Sequence, residues 1–239
     1  MILLGTLVNA LAIIIGSLLG KLLSGIPEGM RQTVLQAIGL SVFVLGLTMG
    51  FGTKNFLLLI FSMVLGSVIG EALKIETRLN QLGDWLERKV GGSKQGSIAT
   101  GFVTATLVYC IGAMAVLGAM DSGLRNNHDI LYTKSLLDGF SAIIFTSTMG
   151  IGVAFAAIPV FLYQGAIALL STQIYSIVSK EMLDAILIEV TAVGGLMIMA
   201  IGINIMEIRK INVANMLPAL VVAAVGVPFI QWATHLMTK

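Results

Sequence analysis

The chain has 239 residues, of which 57% are hydrophobic and only 11% charged, with a mean hydropathy of +0.98. A soluble domain carries about 25% charged residues, so this composition excludes an ordinary water-soluble enzyme, a coiled coil and a disordered chain. A formal charge of +2 leaves no basic stripe for nucleic acid, and the single cysteine, Cys110, excludes a disulfide framework and a Cys-based zinc site.

What remains is an all-α polytopic membrane protein. Crossing the hydrocarbon core takes about 20 apolar residues. Such runs fall at 2–23, 32–51, 55–74, 98–120, 135–151, 153–174, 184–206 and 212–234, which predicts eight transmembrane helices. The first run has no basic residue before Lys21 and exceeds a signal-peptide core, so it reads as a span. The stretch 135–174 is too long for one tilted helix and divides at Gly150 and Gly152.

Basic residues set the orientation. With the N-terminus outside, the inner segments carry Lys21, Arg31, Lys74, Arg78, Arg88, Lys89, Lys94, Arg209 and Lys210. The outer ones carry Lys54, Arg125, Lys134, Lys180 and Lys239. Nine against five favours eight spans with both termini outside.

Between the third and fourth spans, Ile75, Leu79, Leu82 and Leu86 draw one apolar stripe on a helix otherwise rich in charge. This reads as an interfacial helix on the cytoplasmic leaflet, with Trp85 at headgroup depth. The Gly- and Ser-rich stretch 91–97 follows as a linker, and His128 and His235 read as solvated loop or terminal residues.

An internal repeat is visible. Residues 38–52 and 138–152 align without a gap, with identities at Gly39/Gly139, Ser41/Ser141, Thr48/Thr148, Met49/Met149, Gly50/Gly150 and Gly52/Gly152. At an offset of 96, Gly5 meets Gly101, Leu11 meets Leu107 and Gly16 meets Gly112. Spans 1–3 therefore read as a duplicate of spans 4–6. An odd unit is inverted in its second copy, the architecture of many secondary transporters. The predicted organisation is repeat 1 at 1–74, the amphipathic helix and linker at 75–97, repeat 2 at 98–174, and two added helices at 184–234.

Thr-Met-Gly-x-Gly closes both the second and the fifth span. Glycines there can end a helix early and free carbonyls toward a polar pathway. The fourth span offers Gly112 and Gly118 among small residues, which permit close packing or unwinding over a ligand. Polar groups inside spans are Asn9, Thr104, Thr106, Asp138, Ser141, Thr146, Ser147, Glu189 and Asn204, with Glu71 near an inner end. Intramembrane carboxylates are functional suspects, although Asp138 follows Lys134 at the i,i+4 spacing of a plain interfacial ion pair. Glu189 lies near enough to Asp184 to snorkel outward. The expected pathway is lined by Asn9, Ser41, Thr48, Met49, Gly50, Thr104, Gly112, Gly118, Asp138, Ser141, Thr148, Met149 and Gly150. No P-loop, HExxH or GxSxG motif and no concentrated Ser/His/Asp set occurs, so no enzymatic activity, cofactor or metal is expected.

The opening GTLVNALAIIIGSLLG, the CIGAMAVLGAMDSGL stretch, KSLLDGFSAIIF and the GIGVAFAAIPVFLYQG run resemble the bacterial membrane family called domain of unknown function 554. The resemblance spans nearly the whole chain, with the fourth-span motif its most specific part. It implies a bacterial plasma-membrane protein of about this size, and no substrate.

The function expected is a secondary transporter or permease for an ion or small solute, working by alternating access. With no basic residue read at mid-membrane, small or weakly charged substrates suit it. The alternative is a membrane scaffold or sensor using the 75–90 helix as its output surface. The expected partners are the bilayer, an unidentified small solute or ion, and a second copy. A homodimer is inferred from the glycine faces of spans 1 and 3.

Overall fold

The computed structural model describes residues 1–22, 28–90 and 97–237. Among these residues ten α-helices follow in order: α1 (Leu4–Leu22), α2 (Glu28–Gly50), α3 (Phe56–Leu73), α4 (Ile75–Val90) and α5 (Ser97–Cys110). Then come α6 (Ala113–Arg125), α7 (Asp129–Met149), α8 (Ala157–Ile177), α9 (Lys180–Ile205) and α10 (Pro218–Met237). Short 3₁₀ turns at Ile151–Ala156 and Val213–Met216 precede α8 and α10. No strand occurs among the described residues. The linker at 91–96 and the side chain of His235 lie outside what is described.

Among the described residues six helical segments are long and apolar enough to cross a membrane, or seven if the pair α5–α6, bent by 62°, counts as one broken span. α4 forms as a helix over the expected amphipathic segment, with Trp85 half exposed. Local chemistry sets the boundaries. Asn55 caps α3 by accepting from the Leu58 amide at 3.0 Å, and Lys74, in the left-handed region at φ 53°, ends it. Ser179 caps α9 by accepting from the Met182 amide at 3.2 Å.

The helices gather into two compact units that are interleaved in sequence. The first comprises Met1–Leu35 and Arg78–Ser176, the second Gln36–Thr77 and Ile177–Lys239.

In the first unit α1 and α7 lie side by side and parallel. Gly5 sits against Leu131, Gly16 against Gly139 and Gly20 against Ile143, so both sequences rise together along the contact. A Cβ at Gly16 would lie 2.1 Å from the Gly139 carbonyl oxygen, so the backbones touch there. α6 meets α7 where Gly118 packs on Ile130 and Leu131, and meets α8 where Gly123 faces Ala168.

In the second unit the contacts run antiparallel. Gly39 meets Gly202 and Gly46 meets Gly195 between α2 and α9; Gly66 meets Ala219 and Gly70 meets Asn215 where α3 faces α10 and the turn before it. Leu59, Ala192, Val193, Ala219 and Ala223 form the core of this unit. Gly16 and Gly66 are thus covered within the chain itself. The glycine-face argument for a homodimer falls away.

α1 is amphipathic in the sense a membrane requires. Its buried stripe carries Thr6, Asn9 and Ser17, while Leu7, Leu11, Ile14 and Leu18 are exposed. Polar inside and apolar outside is the reverse of a soluble helix.

Candidate functional site

The close approach of α1 to α7 brings polar side chains together inside the first unit. Lys134 and Asp138 stand one turn apart on α7. The Lys134 ammonium donates to Asp138 Oδ1 at 2.8 Å and lies 2.7 Å from Oδ2 in the same ion pair. The spacing matches the expected ion pair, but its setting does not: Lys134 is 7% and Asp138 6% exposed. Lys134, expected in an outer segment, is thus buried within the first unit.

Asn9 of α1 and Gln164 of α8, both fully buried, complete the cluster. The Asn9 amide nitrogen donates to Asp138 Oδ2 at 3.1 Å and to Gln164 Oε1 at 3.3 Å. Chemistry fixes these amide orientations. Turning Asn9 would set its carbonyl oxygen against a carboxylate, and with Asn9 donating, Gln164 must present its oxygen. Two atoms are then left over. Asn9 Oδ1, an acceptor, and Gln164 Nε2, a donor, are buried with no hydrogen-bond partner. Each such atom costs about 1–3 kcal/mol if left unsatisfied.

The surrounding groups are polar too. Ser141 donates to the Asp138 carbonyl at 3.0 Å and to the Tyr109 hydroxyl at 3.4 Å. Thr6 Oγ1 and Ser17 Oγ on α1, and Thr146 Oγ1 on α7, are also buried without partners. At about 1.5 Å rise per residue, the span from Thr6 to Ser17 extends these atoms well along the α1–α7 seam. Near the start of the seam, Ser122 donates to the Ile2 carbonyl at 2.8 Å and contacts His128 Nδ1 at 2.7 Å. His128 is thus a buried structural partner rather than a solvated loop residue.

The remaining expected pathway residues divide between the units. In the first, Thr104 is buried on α5, and Gly112, at φ 139° and ψ 148°, breaks the helix between α5 and α6. Met149 and Thr148 are buried at the end of α7, and the Thr148 hydroxyl donates to the Ile144 and Phe145 carbonyls. Gly150, at φ 89° and ψ −177°, stops α7. Both glycine conformations lie in a region essentially closed to other residues.

In the second unit, Ser41 donates to the Ala37 carbonyl and Thr48 to those of Val44 and Leu45. Both side chains are exposed, and α2 continues helically through Met49 and Gly50. The two Thr-Met-Gly-x-Gly copies therefore differ: only Gly150, not Gly50, takes a positive φ.

Glu189, expected to snorkel, is instead buried and caps the start of α3. It accepts from the Lys54 and Asn55 amides at 2.7 and 3.0 Å and from the Thr53 hydroxyl at 2.6 Å. A carboxylate on unsatisfied amides at a helix N-terminus is favourable on both counts. At the other end of α3, Asn215 donates to Glu71 and accepts from the Glu76 amide at 2.7 Å, while Glu76 accepts from the Ala214 amide at 3.0 Å. These carboxylates hold the second unit together.

Sequence reasoning picked out Asn9, Asp138 and Ser141 but missed Gln164, Thr6 and Tyr109. The available signal for Gln164 was a glutamine standing inside the apolar run 153–174.

Residues 4–228 match the model of the family described as Protein of unknown function (DUF554). The chain is 31% identical over 226 residues to Uncharacterized membrane protein YdfK of Bacillus subtilis (strain 168), covering 92% of this chain and 94% of that one. It is 30% identical over 224 residues to Uncharacterized protein YqgA of Escherichia coli (strain K12), with the same coverage. No solved structure matches it significantly. The chain is a polytopic membrane protein and belongs to the DUF554 family.

Proposed function

We propose that this protein is a secondary transporter or permease of the bacterial plasma membrane, and that the Asn9–Lys134–Asp138–Gln164 cluster is its solute site. One observation carries the reading. A charged pair and two amides lie buried between membrane helices, with an acceptor and a donor left unpartnered. Burying an ion pair is no route to stability, since apolar residues of similar size often do as well or better. Intramembrane ionisable groups mark pathways and relays by default.

The reading includes eight spans with both termini outside. α7 is the eighth: its 21 residues give about 31 Å of helix. Lys134 and Asp138 neutralise each other inside, and Leu136, Leu137 and Phe140 form an exposed apolar face. It also includes inverted repetition. The match of 38–52 to 138–152 pairs segments from different units, whereas glycine contacts within the second unit support another pairing. Gly39 and Gly195, like Gly46 and Gly202, stand 156 residues apart, and each contact, Gly39–Gly202 and Gly46–Gly195, maps onto the other by that shift. Gly70 and Gly226 repeat the interval. A two-fold axis across the helices, relating α2–α3 to α9–α10, fits these contacts, and such an inversion is the usual basis of alternating access.

The test is a metabolite and metal comparison between a deletion strain and its parent, complemented with wild type or with the Asn9→Leu, Gln164→Leu double variant. A solute whose level is restored by wild type and not by an equally expressed double variant supports the reading. Equal restoration by both removes the cluster from the function.

A further inference from the structure

We propose that the groove between α3 and α10 holds one membrane phospholipid, its acyl chain lying along the groove and its anionic headgroup at Lys54. The inference concerns the second unit alone and is independent of the solute site.

Packing opens the groove. α3 and α10 run antiparallel, with Gly66 and Gly70 lying on the backbones of Ala219 and Asn215. Toward the other end, the atoms nearest Gly226 are those of the Leu58 side chain. The two helices thus touch backbone to backbone at one end and are propped apart by a leucine at the other. There a hollow of about 640 Å³ opens, walled by Leu57, Phe61 and Val64 of α3 and by Val222 and Phe229 of α10. Asn55, the one polar side chain among its described lining residues, is engaged in capping α3. Leu57, Phe61, Val64 and Phe229 are exposed, and both helices are long and apolar enough to span a membrane, so the open side faces lipid.

Size names the occupant. On α3 the lining runs from Asn55 to Val64, about 13 Å of helix, close to the roughly 15 Å of hydrocarbon in one leaflet. Spread over that length the hollow has a section of about 50 Å², whereas a helix needs about 80 Å² even at a diameter of about 10 Å. A helix of a second copy is therefore too thick, and the bulky rim lacks the small residues through which helices associate in lipid. A hydrocarbon chain fits.

The chemistry at the groove's mouth names the headgroup. The contacts Gly70–Asn215, Gly66–Ala219 and Leu58–Gly226 keep step along the two helices, and the same step brings Lys54 level with Gln231 and Trp232. Trp232 packs on Phe229 of the groove wall, with ring centroids 6.0 Å apart. An exposed tryptophan at the end of a span marks the lipid–water boundary, and Lys54 is exposed at that level. The neighbouring Glu189 carboxylate is already engaged by the Thr53 hydroxyl and the Lys54 and Asn55 amides. An exposed ammonium at the mouth of an apolar, leaflet-long groove suits a phosphate at the end of an acyl chain.

The experiment is native mass spectrometry of the purified full-length chain in mild detergent, with phosphatidylglycerol and phosphatidylcholine of identical acyl chains added in turn. The expected result is one phospholipid per chain, held at concentrations where further copies are not, with phosphatidylglycerol preferred about fivefold. Val64→Trp and Ile60→Trp each place an indole in the groove from its exposed side. Each should weaken retention about tenfold or more, the equivalent of about 1.4 kcal/mol, at an unchanged melting temperature. Lys54→Gln should keep the lipid and lose the preference for phosphatidylglycerol.

Four outcomes would overturn the proposal. Wild type that retains no phospholipid leaves the groove to bulk lipid. Retention undiminished in both folded tryptophan variants places the lipid elsewhere. A headgroup preference that survives Lys54→Gln removes the phosphate from that residue. A lipid-free wild-type dimer that either tryptophan variant separates assigns the groove to a second copy.

Discussion

The Lys134–Asp138 pair shows what a sequence can and cannot convey about one residue. The i,i+4 spacing is written in the chain; the burial is not, because it depends on Asn9 and Gln164 arriving from α1 and α8. A buried ammonium or carboxylate without its partner costs about 3–5 kcal/mol, whereas replacing both with apolar groups is often neutral or better. Asp138→Ala should therefore lower stability by about that amount, and Asp138→Leu combined with Lys134→Met should restore most of it. Thermal unfolding in mild detergent reads both, and a loss under about 1 kcal/mol for Asp138→Ala would place the pair in water. Thr48 makes the opposite point. Its place in the repeated Thr-Met-Gly-x-Gly motif suggested a pathway, but a hydroxyl bonded to its own helix at 2.9 and 2.8 Å offers little to a solute. Thr48→Val should leave expression, fold and any site-dependent flux unchanged.

Among elements, helices and their ends were the most legible part of the chain, because apolar runs and glycine punctuation are local signals. The expected run 55–74 is α3, and the expected division of 135–174 falls at Gly150. The apparent equivalence of the two Thr-Met-Gly-x-Gly motifs was misleading, since identical residues end their helices differently in different surroundings. Gly150→Ala forces alanine into a conformation at φ 89°, at a cost of order 1–3 kcal/mol. At Gly50 an added Cβ meets the flexible Leu196 side chain at 2.9 Å, and the Ala192 carbonyl oxygen stands back at 4.0 Å. Gly150→Ala should therefore reduce the melting temperature clearly more than Gly50→Ala; equal effects would contradict the asymmetry. Gly16→Leu should be worse than either. It drives a side chain into the Gly139 backbone, so it should abolish folded protein on gel filtration rather than convert a dimer into a monomer.

For the whole molecule, the class was fixed by composition, and the polar interior of α1 agrees with it. Which helices share a unit was not legible. Each compact unit joins stretches far apart in sequence, and periodicity within a helix says nothing about which distant helix covers it. The orientation expected from the charge bias has a direct check. In a Cys110→Ala background, single cysteines at Ser93 and Asn126 should label from opposite sides of intact cells, Asn126 from outside and Ser93 only after permeabilisation. Labelling from one side would overturn the topology. The central claim is that the buried Asn9–Lys134–Asp138–Gln164 cluster carries a solute across the bilayer, and reconstituted flux tests it most directly. Proteoliposomes are loaded with a whole bacterial metabolite extract, diluted, and their retained contents read by mass spectrometry. At least one small solute should be lost through wild type but retained by the Asn9→Leu, Gln164→Leu variant and by empty liposomes. Identical contents in all three would contradict the claim.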